Sequence, residues 1–432
     1  MSDTALATGS PTASLTAPCD RMTPLALEQS GLDACVHCGF CLQACPTYLA
    51  LEDENDSPRG RIVLMRSLLD GTLPPEDVDL RKHIDQCLGC RACETACPSG
   101  VPYGHLLEAT RATLRGGRAP SAGASALLWI FARPAALRAM MAGARLLAAT
   151  PIPSLLSGLS GRLGFAMAML TATDSPIERG SYAPESDGAN GSAALLTGCV
   201  MEGLFTSTNR ATERVLTYNG YTMTNTPGQV CCGALHAHAG ELGTARELAR
   251  RNIAAFEQSG ADWVVTNSAG GGAMMKEYGH LLSGDADWSG RARDLSLRVR
   301  DVTELLAAVG PEPGGFISFS VTYDAPCHLQ HAQRVTSPPL AVLSAIPGIE
   351  LIPLRDSDQC CGSAGIYNLL EPATSDAVLA PKLENIRATR ASLVATGNPG
   401  CLMQIGAGLH RADMRARVVH PVDLLDASYA SL

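Results

Sequence analysis

The chain has 432 residues, 46% of them hydrophobic, with 16 cysteines and a formal net charge of −9. That length calls for several domains with substantial cores, and the acidic balance excludes nucleic acid as the main partner. The cysteines are clustered rather than scattered, and the first residues lack the basic start and apolar run of a signal peptide. Both features argue against a secreted disulfide framework and for a reducing, cytoplasmic setting. No uncharged, proline-free run reaches the ~18–20 residues of a spanning helix, so any membrane contact would be peripheral, on the inner face.

Residues 1–20 are rich in Ala, Thr, Ser and Pro and read as a disordered tail, with Cys19 a spectator outside any motif. Residues 21–118 hold two copies of one spacing, C-x2-C-x2-C-x3-C-P. The first is Cys35, Cys38, Cys41, Cys45-Pro46 and the second Cys87, Cys90, Cys93, Cys97-Pro98. This run ligates cubane iron–sulfur clusters, and in two-cluster proteins the fourth cysteine of each run typically serves the other cluster. The expected ligand sets are therefore Cys35, Cys38, Cys41 and Cys97 for one 4Fe–4S cluster, and Cys87, Cys90, Cys93 and Cys45 for a second. Disulfides or structural zinc would not explain why the whole run, proline included, occurs twice. The 41 residues between the runs include a helical stretch with Ile62, Met65 and Leu69 on one face and Leu68 at its edge, ending at Asp70-Gly71. A spacer so long and helical resembles the all-helical ferredoxin domain of succinate dehydrogenase iron–sulfur subunits.

Residues 119–192 are Ala- and Leu-rich with recurring arginines and read as a helical connector. Its amphipathic helices could rest on a membrane surface, but packing on the protein itself is the favoured reading. From 193 strands alternate with helices, which implies parallel sheets. Residues 193–199 form a strand ending in Gly198-Cys199; a helix over 207–219, the Cys231-Cys232-Gly233 turn, a helix near 240–258 and a strand over 263–267 follow. The order then returns: a strand over 317–323, Cys327-His328, Cys360-Cys361-Gly362, a helix near 373–395, and Cys401. With 31 residues between Cys199 and Cys231 and 32 between Cys327 and Cys360, this is an internal repeat. The expected architecture is α+β and multidomain: an N-terminal all-helical two-cluster domain, then two related α/β cysteine-rich domains over 193–300 and 301–432.

Adjacent cysteines followed by glycine resemble the cysteine-rich "CCG" domain of heterodisulfide reductase subunits. The segments Ser57–Ile62, Cys87–Val101, Gln229–His236, Tyr278–His280, Pro326–Leu329, Cys360–Asn368 and His420–Val422 resemble those of the iron–sulfur subunit of bacterial glycolate oxidase. Subunits of lactate-utilisation and anaerobic glycerol-3-phosphate dehydrogenase complexes share the same plan. The resemblance implies an electron-transfer subunit. FAD-containing partner subunits would oxidise the 2-hydroxy acid, and electrons would leave towards a quinone or another membrane acceptor. The chain carries no flavin- or nucleotide-binding fingerprint and no triad or paired-acid arrangement, so no catalytic residue for substrate and no flavin are expected within it.

The repeats are unequal. Cys327, Cys360, Cys361 and Cys401 could bind a third cofactor, an iron–sulfur or other metal centre, or could be a buried relic or a redox-active thiol pair. Gln404 stands where the heterodisulfide reductase pattern has a further cysteine. The first repeat keeps Cys199, Cys231 and Cys232, with Gly271 where relatives often carry a cysteine; a site there would need His236 or His238 as a ligand. Catalysis at the second repeat's cysteines, by a disulfide reductase, is the rival reading. His328 and His420 read as groups that support thiolates or as core residues.

Overall fold

A computed structural model describes residues 23–116, 121–177 and 182–432. The expected tail and Cys19 lie outside the described residues. The N-terminal part is helical throughout. Its longest helices, Pro58–Leu69 and Tyr103–Arg115, pack with Val78–Asp85 around Leu25, Leu32, Ile62, Met65, Leu68, Leu80, Ile84 and Leu106. In the first of these helices Leu68 is buried and Leu69 only partly so, which reverses the expected roles. A 3.6-residue period starting at Ile62 and Met65 reaches Leu68 by a second step of three.

The connector forms helices Ala122–Phe131, Pro134–Ala148, Ile152–Leu156 and Gly161–Thr171. Phe131 and Met141 enter the core of the first repeat, and Phe165 and Ala168 pack on helix Pro399–Arg411 of the second. Leu128 and Met167 are buried as well, but other apolar residues of these helices are open: Leu146 is 73% exposed and Leu155 75%.

Each repeat is a four-stranded parallel sheet. The first holds β1 (Ser192–Leu195), β2 (Thr222–Met223), β3 (Trp263–Thr266) and β4 (Val299–Asp301) in the order β2-β1-β3-β4. The second holds β5 (Phe319–Tyr323), β6 (Ile349–Ile352), β7 (Leu393–Ala395) and β8 (Arg417–Val419) in the matching order β6-β5-β7-β8. Register matches too, since Ala193 pairs with Trp263 and Val321 with Leu393. The repeat read from cysteine spacing is thus a repeat of topology.

Two expectations need correction. The helix expected near 373–395 runs Pro372–Thr389, and β7 follows within the span given to it. Arg390 adopts a left-handed φ of +56° and stops the helix. The boundary expected at 300/301 falls inside β4, whose Asp301 then caps helix Val302–Val309 with a capping box to Glu304. One apolar core, including Leu195, Val265, Val302, Val321 and Leu393, spans both sheets. Their carboxyl ends meet: Ala269 N–H donates to the Gly397 carbonyl (3.1 Å) and Gly270 N–H to Asn398 Oδ1 (3.3 Å).

Candidate metal centres

In open parallel sheets the carboxyl ends of the strands are where ligands bind, and both repeats put their cysteines there. Cys199 lies just beyond β1, Cys327 just beyond β5, and Cys401 in the first turn of the helix after β7. In the first repeat Cys231 Sγ is 3.8 Å from Cys199 Sγ, with Cys232 beside it. In the second, Cys361 Sγ is 3.3 Å from Cys401 Sγ, and the Cys360 thiol reaches Cys327, Cys361 and, across the domain boundary, Cys90. The four thiols of the second repeat are therefore gathered at one point. Hydrogen bonds with Cys360 and then Cys401 hold the Cys361 thiol well below its usual range, and buried Lys382 adds to this.

The sequence-based candidates around these thiols separate. His236 Nε2 faces the Leu128 carbonyl (3.0 Å) while its buried Nδ1 has no hydrogen-bond partner, and His238 Nδ1 faces the Glu108 carboxylate (2.8 Å). Gln404 donates to Ser375 Oγ and accepts from Asn368, a buried polar tie where the related pattern has a thiol. His328 faces the Gly89 carbonyl at 3.0 Å and His420 the Asn267 carbonyl at 3.1 Å; both join domains rather than touch sulfur.

The helical domain brings its eight cysteines around two neighbouring cavities. One is lined by Cys35, Cys38, Cys41, Cys93 and Cys97, the other by Cys45, Cys87, Cys90 and Cys93. The fourth cysteine of each run lies with the first three of the other. The cavities differ in depth. Cys38 is exposed, and Val36 and Phe40 beside it are 67% and 69% exposed, whereas Cys45, Cys87, Cys90 and Cys93 are all buried.

The Ser57–Ile62 segment shows why these cavities hold their shape. Ser57 Oγ accepts from Gly60 N–H (2.9 Å) and Pro58, which has no N–H to satisfy, occupies the first helical position. Gly60 is obligatory, because a Cβ there would lie 2.0 Å from the Glu54 carbonyl oxygen. Arg61 is wholly buried in the wall of the deeper cavity. Its guanidinium donates to the Asp56 carboxylate (3.0 Å), Thr47 Oγ1 (3.0 Å) and the His83 carbonyl (2.6 Å). Thr47 Oγ1 in turn lies 3.3 Å from Cys45 Sγ, while Gly89 N–H and Tyr103 O–H donate to Cys87 Sγ at 3.4 and 3.7 Å. A fixed cation and donors aimed at sulfur suit an anionic cluster.

As free thiols these cysteines are poorly placed. Burial pushes Cys41 up to about 11 and Cys93 well above the usual thiol value, and neighbouring thiols add to both. Iron is what turns such a crowded set into stable thiolates. The donor chemistry fits a cubane in each cavity.

Two features escaped sequence reading. Arg91, in a left-handed conformation (φ +64°), spans Glu94 and Glu277 of the first repeat, and His105 Nε2 sits 2.6 Å from Glu277 Oε2. Beside them lies a cleft of about 950 Å3 bounded by all three domains. The residues forming it are scattered along the chain, so no local spacing marks them.

Fold and thiol geometry together define the class, an iron–sulfur protein built from a two-cluster module and two cysteine-rich repeats. Residues 31–101 match the 4Fe-4S dicluster domain, and residues 193–276 and 321–406 each match the cysteine-rich domain. A probable glycolate oxidase iron-sulfur subunit of Bacillus subtilis is 36% identical over 419 residues, covering 92% of this chain and 94% of that protein. The glycolate oxidase iron-sulfur subunit of Escherichia coli is 35% identical over 398 residues, 88% of this chain and 91% of that protein. Lactate utilization protein A of Geobacillus thermodenitrificans is 30% identical over 235 residues, 54% of this chain and 98% of that protein. The chain belongs to the family of glycolate oxidase iron–sulfur subunits.

Proposed function

We propose that this chain is the electron-transfer subunit of a glycolate (2-hydroxy acid) dehydrogenase complex, taking electrons from an FAD-containing partner that oxidises glycolate to glyoxylate. Cys35, Cys38, Cys41 and Cys97 hold one 4Fe–4S cluster, and Cys87, Cys90, Cys93 and Cys45 the other. When bound, each cubane exchanges one electron at a time, which lets two of them empty a two-electron flavin stepwise. The observation that carries the reading is the pair of adjoining cysteine-lined cavities, one at the surface and one buried. Exposed Val36 and Phe40 give the shallow cavity an apolar rim on which a flavoprotein can dock, while Arg61, Tyr103 and Thr47 fix the deeper one. Contact between Cys90 and Cys360 continues the line to the thiols of Cys327, Cys361 and Cys401.

A setting on the inner face of the membrane is supported by the connector. Residues 121–173 carry Arg133, Arg138, Arg145 and Arg162 and no acidic residue, and Leu146, Ile152, Leu155, Leu159 and Leu163 are exposed. No described helix is long and apolar enough to cross a membrane. An anionic lipid surface suits such a face.

Iron and acid-labile sulfide on anaerobically purified protein, with EPR after reduction, test the proposal. About eight irons per chain are expected for two cubanes, and about twelve would add a centre at the second repeat. Cys38→Ser should remove the signal of one cubane and Cys45→Ser that of the other. Protein devoid of iron and sulfide after reconstitution overturns it. Reduction by glycolate, through a co-purified flavoprotein, separates this reading from a lactate-linked one.

A further inference from the structure

The two repeats correspond position by position but are equipped differently. With Cys199 matched to Cys327, Cys231 and Cys232 match Cys360 and Cys361, and the strand pairings carry the match on to Gly271 and Cys401. Leu196 then stands in the place of Asp324, and Asn252 in the place of Lys382. The second repeat thus sets a buried Lys382–Asp324 ion pair and a fourth sulfur beside its thiols. The first has neither. Its turn is held by neutral hydrogen bonds: Asn252 accepts from Val230 N–H (2.8 Å) and donates to the Cys231 carbonyl (3.1 Å), and Tyr278 O–H donates to the Cys232 carbonyl (2.8 Å). These bonds grip the backbone and leave the sulfurs to each other.

We propose that Cys199 and Cys231 form a dithiol that hydrogen peroxide oxidises to a disulfide. Their sulfurs are in contact at 3.8 Å, with the Cys231 thiol donating and Cys199 accepting. Exposure divides the roles. Cys199 is partly exposed and Cys231 only 4%, so a small oxidant meets Cys199 first and Cys231 closes the bond. The hydrogen bond to Cys199, with burial, pushes the Cys231 thiol well above its usual range, which keeps it protonated until Cys199 has been oxidised. Cys232 is the poorer partner, because a bridge between neighbours in sequence strains the turn that carries them.

The second repeat offers no such pair. Cys360, the counterpart of Cys231, is shared among Cys327, Cys361 and Cys90. Cys361 and Cys401 lie 3.3 Å apart, but each is 3% exposed and closed to an oxidant.

The step balances. The Cys199 sulfur attacks the peroxide O–O bond; one oxygen stays on sulfur as a sulfenic acid, and the other leaves as water with the thiol proton. The Cys231 sulfur then attacks the sulfenic sulfur, the S–O bond breaks, and the hydroxyl leaves as water with the Cys231 proton. Two electrons pass from two sulfurs to one peroxide. Cys199 also precedes helix Val200–Leu204, whose Gly203 lies against Met141 of the connector. The disulfide therefore fastens the paired-cysteine turn to the element on which the connector rests.

The test uses the anaerobically purified full chain and hydrogen peroxide in graded excess. Denaturation in N-ethylmaleimide, digestion and mass spectrometry without reduction follow. A peptide pair joined through Cys199 and Cys231 should rise at least ten-fold over untreated protein and disappear with dithiothreitol. Cys199→Ser should abolish the pair and return Cys231 as the alkylated thiol, whereas Cys232→Ser should keep it. Recovery of both parent cysteines as alkylated thiols, or a bridge to Cys232 in place of Cys231, overturns the inference. Cysteines released from a damaged cluster give other peptide pairs, so loss of iron neither mimics nor hides the result.

Discussion

Arg61 holds a positive charge where solvent does not reach. A cation so placed is costly unless it is paired and its donors are used, and here Asp56, Thr47 and the His83 carbonyl use them. Replacing it by Met would leave the Asp56 carboxylate buried with His83 as its remaining ring partner. Arg61→Met should cost about 3–5 kcal/mol, read as a lower urea midpoint for loss of iron–sulfur absorbance. A change under about 1 kcal/mol would mean that the pair contributes little net stability. Little of this was legible beforehand. The eight cysteines announced themselves by spacing, but an arginine near the start of an amphipathic helix looks like any solvated one. Its burial depends on Asp56 and on His83, which lies 22 residues away from it.

At the scale of elements, helix Pro58–Leu69 is set by its first turn. Glycine normally costs a helix about 1 kcal/mol relative to alanine, so Gly60→Ala would stabilise an isolated helix. The clash with the Glu54 backbone reverses the sign, since a contact of 2.0 Å forces the main chain to move. The variant should melt lower and lose iron faster under chelator than the parent; an equal or higher melting temperature would show that the turn over Glu54–Asp56 yields freely. The two repeats also show why one helix end was readable and its counterpart was not. Helix Leu242–Ser259 stops at Gly260 (φ +65°), helix Pro372–Thr389 at Arg390 (φ +56°). Glycine advertises a left-handed stop and arginine does not, so the apolar residues 391–395 read as more helix. That the sheets are parallel, by contrast, followed from the alternation of strands and helices.

Across the whole molecule, the helical domain is tied to both repeats by polar contacts between residues far apart in sequence. His105 meets Glu277 across 172 positions, and Tyr367 O–H donates to the Gln86 carbonyl across 281. No spacing rule reaches so far, which is why domain arrangement and cleft were invisible at the outset. The first of these ties responds to pH. Burial alone would lower His105, but Glu277 outweighs it and raises its pKa above the ordinary 6.5. Burial likewise opposes the Glu277 charge, yet His105 and Arg91 pull its pKa down to about 2 from 4.5. The histidine's contribution is complete below about pH 6.5 and fades as pH rises through its folded value; the glutamate's is complete above about 4.5 and fades as pH falls towards 2. The tie is therefore strongest between those limits. Thermal stability should decline from pH 6 to pH 9 in the parent and less steeply in His105→Gln. Parallel slopes would assign the decline to other groups.

The interleaved walls of the two cysteine cavities also impose an order in time. On a growing chain, the run from Cys35 to Cys41 leaves its cavity incomplete until Cys97 has been made, and Cys45 waits for Cys87, Cys90 and Cys93. Neither half of the module can close a cavity by itself. Loading of the proposed clusters would thus be a late event in the synthesis of this domain, and a chain cut between residues 45 and 87 yields two fragments that each lack part of both cavities.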